Sequence, residues 1–126
     1  MAGYGSAESL KGELSLARQS LQLTLSESLP IGVGYLAWQL ELPTAEPKVI
    51  LSAALDEHVH AIWLAFGNNI KEWINFIRNY DAEHKRVRRT TIFVQVGSVE
   101  EALVASNEWN VDVLVAQGLA IFFDDI

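Results

Sequence analysis

Two kinds of apolar pattern alternate along this chain. In "SAESLKGELSLARQSLQL" the residues Leu10, Leu14, Ala17 and Leu21 recur at helical spacing, and Ser6 stands where a cap belongs. "NNIKEWINFIRNYDAEHK" repeats that spacing with Ile70, Trp73, Ile74 and Ile77. "KVILSAALDEHV" reads as a shorter helix. "SVEEALVASNEW" reads as a helix opened by a capping box, Ser98 with Glu101. Between them lie compact apolar runs of strand character: "LPIGVGYLAW", "AIWLAFG", "TTIFVQVG" and "VDVLVAQG". "ELPTAEP", with Pro43 and Pro47, reads as loop.

The expected order is α-β-α-β-α-β-α-β. The strand segments are near-continuous apolar runs, which predicts parallel strands buried on both faces by crossover helices. Right-handed crossovers would then set successive strands side by side. Glycine stands at the end of three strands, as Gly67, Gly97 and Gly118, and inside the fourth, as Gly32 and Gly34. Small residues at the carboxyl ends of neighbouring parallel strands mark the side on which α/β proteins bind ligands.

Composition narrows the function. The chain has 126 residues, enough for one domain, and half of them are hydrophobic. A formal charge of −7 speaks against nucleic acid or an anionic membrane surface as partner. No cysteine is present, so disulfide and thiolate chemistry are excluded. No transmembrane run or signal core is seen, and the expected setting is the cytoplasm.

Several motifs carry a chemical reading. "GVGYLA", from Gly32 to Ala37, matches G-x-G-x-x-A, with Glu57 at a ribose partner's distance. Pro30 before it and "WQLELP" after it deny the strand-loop-helix context a dinucleotide site needs. His58 and His60 have no evident third metal ligand. "HKRVRR" follows a helix, where cations complement the dipole. Glu100 and Glu101 read as helix-start residues. The uncharged candidates Trp38, Gln39, Gln95 and Gln117 lie near strand carboxyl ends. There an amide can both donate to and accept from a heterocycle edge; for Gln95 the alternative is a core amide satisfied by neighbouring backbone.

"AGYGSAESLKGELSLAR", "LPIGVGYLAWQLE", "AIWLAFG", "TIFVQVGSVEEAL" and "VDVLVAQG" together resemble the nitronate monooxygenases, once called 2-nitropropane dioxygenases, in their fungal form. The resemblance spans residues 2–118. It implies an α/β fold that is part of a (β/α)8 barrel, with about four parallel strands, FMN as cofactor, and alkyl nitronate and O2 as substrates. It places Gln117 and Gly118 against the flavin, with Gln95 a further candidate. The family's Gly-Gly-His loop, which carries the catalytic base, has no counterpart: "LAIFFDDI" follows Gly118, and no histidine lies beyond His84. Residues 1–118 are thus expected to be the central piece of a barrel and 119–126 an apolar tail outside the pattern. A coding sequence for the missing loop is expected downstream. Another FMN barrel of enoyl-reductase type, or a non-enzymatic remnant, remains an alternative.

Overall fold

The computed structural model describes residues 7–24, 27–86 and 88–116. In chain order the elements are α1 (Ala7–Ser20), β1 (Leu29–Leu36), α2 (Ala37–Leu40), α3 (Pro47–Asp56), β2 (Val59–Ala65), α4 (Ile70–Glu83), β3 (Thr91–Val96), α5 (Val99–Glu108) and β4 (Val113–Ala116). The alternation of helix and strand read from the sequence is present. Two local differences stand out. "AWQL" leaves the end of β1 as the one-turn helix α2, and Pro47 opens α3 rather than closing a loop. Proline suits that first helical position because its missing N–H has no partner there in any helix.

The strands form one sheet in the order β1-β2-β3-β4, every pair parallel. β1 slips by one residue against β2 between Leu29 and Gly32, around Pro30. An edge strand tolerates both a proline and an irregular register, since one side of it makes no ladder.

The fold's main departure from expectation is the burial of the sheet. The strands are covered on one face only. Val33, Tyr35, Ile62, Leu64, Ile92, Val94 and Val96 point to the helices and are buried with Leu10, Leu51, Leu55, Ile74, Ile77 and Ala102. The alternate residues on the other face are mostly half-exposed. The reason is topological. Sequential right-handed crossovers send every helix to the same side, and covering both sides needs a reversal of strand order. The strand segments read as continuous runs because the uncovered face is also uncharged. Its rungs are Gly32-Ala61-Thr91, Gly34-Trp63-Phe93-Val113 and Leu36-Ala65-Gln95-Val115.

Helix ends are set by local chemistry. Ser98 accepts a hydrogen bond from the Glu101 N–H at 3.1 Å, as the capping motif predicts. A left-handed residue follows the end of each longer helix: Gln22, His58, Lys85 and Asn110, with φ between 50° and 57°. Glycine usually holds this place. No described helix is long and apolar enough to cross a membrane.

Candidate functional site

The two ends of the sheet differ in kind. At the amino end a set of buried and half-buried charged groups fixes the chain. Arg18 is buried on α1, donates to the carbonyls of Thr24, Glu27 and Glu57 at 2.5 to 2.7 Å, and meets the Glu57 carboxylate at 3.4 Å. Asp112 accepts from Arg78 at 2.7 Å, from Arg89 at 2.6 Å and from the Ile92 N–H at 2.8 Å. Burial works against charge on Asp112, but these donors outweigh it and hold its pKa below the usual value. Buried Asp81 accepts from the Thr90 N–H and hydroxyl and pairs with Arg86. The Tyr80 hydroxyl donates to Asp56, and burial together with that bond pushes its pKa up to about 12.

These contacts bear on two of the sequence readings. Glu57 is committed to Arg18, and Gly32 and Gly34 lie within a strand, so the dinucleotide reading of "GVGYLA" fails. Two cations of "HKRVRR" are tied to their neighbours. Arg86 lies over the Tyr80 ring and reaches Asp81, and Arg89 reaches Asp112. Among the described residues no cluster of acidic and histidine side chains could hold a metal. Burial, then Arg86 and Arg18, lower the pKa of His58; burial and Arg88 lower that of His60.

The carboxyl end carries none of the ion pairs found among the described residues. Its rim holds a different set of groups. Gln95 sits in the last rung of the open face, and its Oε1 accepts from Trp63 Nε1 at 3.1 Å. An indole N–H can only donate, so this bond fixes which way the amide is turned. Trp63 in turn stacks on Phe93, centroids 5.5 Å apart and planes within 6°. Gln95 is therefore oriented by a side chain rather than by the neighbouring backbone alone. Gly97 ends β3 beside it, and a Cβ there would meet nothing within 4 Å. Trp38 and Phe66 lie exposed on the same rim, joined by the Trp38 N–H to the Phe66 carbonyl at 3.0 Å. The left-handed conformation at the exit of β2 belongs to Phe66. Gly67 is needed for space instead, because a Cβ would lie 2.5 Å from that of Ala37. Gln117 and Gly118 lie outside the described residues.

Glu41 is a feature the sequence did not mark. From the loop after α2 it accepts the Asn68 and Asn69 N–H groups at 2.9 Å and Trp73 Nε1 at 3.2 Å. It thus satisfies the start of α4, the place where an anionic ligand would otherwise dock. Trp38 and Gln39 line a cavity of about 510 Å³ with Tyr35, Thr44, Glu46 and Val49, on the outer side of the rim. A second depression, about 480 Å³, lies on the open face between Gly32, Gly34, Ala61, Trp63 and Phe93.

No family model matches the chain, and neither does any curated protein or solved structure.

Proposed function

We propose that the sheet is a four-strand arc of an FMN-binding (β/α)8 barrel of the nitronate monooxygenase type, with the flavin ring at the carboxyl-end rim. The observation that carries this reading is the sheet itself: four parallel strands in sequential order with one uncovered, uncharged face. Such a sheet curls into a barrel when more strands of the same kind are added, and barrel enzymes place their sites at the carboxyl ends of the strands. The resemblance of residues 2–118 to that family points the same way.

The residues present fit the ring of the cofactor. A flavin ring needs a flat apolar wall and an amide or backbone edge, and the half-buried Leu36 and Val115 with the oriented Gln95 supply that combination. They do not fit its phosphate. The start of α4 is occupied by Glu41, and the start of α5 is capped by Ser98 and flanked by Glu100 and Glu101. Bound FMN would supply the redox chemistry, accepting electrons from the nitronate and delivering them to O2. The chain's part is to orient the ring and keep water from one side of it.

The residues also narrow the substrate. The described rim holds no histidine: His58, His60 and His84 all lie toward the amino end. A neutral nitroalkane must lose a carbon-bound proton before oxidation, whereas a nitronate has already lost it. The described residues therefore suit a preformed nitronate, which needs no such base. An FMN titration followed by flavin fluorescence, with oxygen uptake recorded on both substrates, tests it. The expected outcome is binding in the micromolar range or weaker and uptake on the nitronate alone. No binding at about millimolar FMN would end the flavin reading.

A further inference from the structure

Among the described residues, five other than glycine have a left-handed backbone. Gln22, His58, Lys85 and Asn110 follow helices, where that conformation closes the last turn. Phe66, with φ 59°, follows a strand instead. A bulky aromatic is among the residues least suited to that region. The ring gives little back to the core: Phe66 is 49% accessible and stacks on none of the described aromatics. Strain of this kind persists only where surrounding contacts enforce it, and it gathers at ligand sites.

The enforcing contacts come from α2 and the loop after it. The Phe66 carbonyl accepts the Trp38 N–H at 3.0 Å. Gly67 lies so close to α2 that a Cβ would stand 2.5 Å from that of Ala37 and 2.6 Å from Glu41 Oε2. The Glu41 carboxylate takes the Asn68 and Asn69 N–H groups at 2.9 Å and Trp73 Nε1 at 3.2 Å. Asn69, at the N-cap of α4, makes no side-chain cap hydrogen bond of its own. One carboxylate therefore caps α4 and fixes residues 66–69 against α2. A chain that needed only to leave β2 and begin α4 would do so at less cost with glycine at position 66.

We propose that Phe66 is a ring-contacting residue of the carboxyl-end rim and that Glu41 is the positioning residue that holds it there. The inference rests on the flavin reading above and names the side chain that meets the isoalloxazine ring beside Gln95. Ala65, the residue before Phe66, pairs with Gln95 across the sheet. β2 is an inner strand, between β1 and β3, so strands added at either edge of the sheet would leave its exit at the same rim. That rim is where parallel α/β folds bind their ligands. A phenyl face suits a flat heterocycle, through stacking and apolar contact.

Titrations of the 126-residue chain with FMN and with riboflavin, each paired with a thermal unfolding curve, test this. The two ligands share the ring and differ in the phosphate, so Phe66→Gly should weaken both by the same factor, about ten-fold. Its unfolding midpoint should be no lower than that of the unaltered chain, because glycine adopts the left-handed region freely. Phe66→Tyr keeps the ring and should bind within about three-fold of the unaltered chain. Glu41→Gln leaves one acceptor oxygen where the carboxylate had two. It should weaken both ligands about three-fold in the unaltered background and have no further effect in Phe66→Gly. Equal effects in both backgrounds would remove Glu41 from the positioning role. Unchanged binding by Phe66→Gly would overturn the ring contact and leave the flavin reading standing. A clear fall of its midpoint would overturn it too, by making the ring a packing residue, and so would a loss confined to FMN. If the unaltered chain binds neither ligand at about millimolar concentration, the flavin reading falls and the ring contact falls with it.

Discussion

The amino and carboxyl ends of the sheet are made by the same four strands, yet they carry opposite chemistry. At the amino end, arginines and carboxylates are matched to carbonyls, N–H groups and each other. At the carboxyl end the groups include an amide, exposed aromatics, a glycine with open space beside it and carboxylates at helix starts, Glu41 at α4 and Glu100 and Glu101 at α5. A buried charge is costly unless fully partnered, so a charged end is a committed end. The carboxyl end, which holds no ion pair among the described residues, keeps its surface available. The difference teaches that, in a chain without an obvious catalytic cluster, the functional side is best recognised by what the other side has already used up.

The sharpest way to break this comparison is at Arg18. Replacing it with Met keeps the apolar stem and removes the guanidinium, stranding three carbonyls and the Glu57 carboxylate. The expected loss is about 3 kcal/mol of stability in urea unfolding. A loss below about 1 kcal/mol would show that the amino end is not the structural end.

Asp112→Asn comes next. It keeps the shape and weakens the contacts to Arg78 and Arg89. Arg89 is more than half exposed, so solvent screens that part. The expected cost is about 1 to 2 kcal/mol. At Lys85 the effect has the opposite sign. Its φ of 50° suits glycine better than any side chain, and Lys85→Gly should stabilise by about 1 kcal/mol. A lower unfolding midpoint in Lys85→Gly would mean that the lysine makes a contact worth more than its backbone strain.

The smallest effect concerns pH. Burial, Arg86 and Arg18 lower the pKa of His58, so the folded chain favours the neutral ring. The unfolded chain then takes up the proton first as pH falls below about 6.5. Stability present above that pH is lost between it and the lower folded value. Asp112, whose pKa is also lowered, keeps its contribution until far more acid conditions. Unfolding midpoints at pH 7.5 and 5.5 should differ, and His58→Asn, which tolerates φ near 57°, should narrow the gap. An unchanged gap would assign the dependence to other groups.

Much of this architecture was legible in the pattern of residues. Helix and strand order, the Ser98 cap and the parallel pairing follow from periodicity and local chemistry. The open face was not legible, because Gly, Ala, Trp, Phe and Val look alike whether they meet a helix or nothing. Which face a strand buries is decided by where the crossovers go. Arg18 and Glu41 were illegible for a related reason. Their partners lie 39 and 27 residues away in sequence, and no spacing rule joins them. Gln95 was visible as an amide in an apolar strand, but its orienting partner Trp63 was hidden in another.

The proposed flavin reading has the carboxyl end bind and the amino end hold. One paired titration tests it: FMN binding measured for the unaltered chain, for Gln95→Leu and for Asp112→Asn under one set of conditions. Gln95→Leu should weaken binding at least ten-fold with little change in unfolding midpoint. Asp112→Asn should lower the midpoint and leave the affinity unchanged. Equal effects of the two substitutions on affinity, or a larger one from Asp112→Asn, would contradict it.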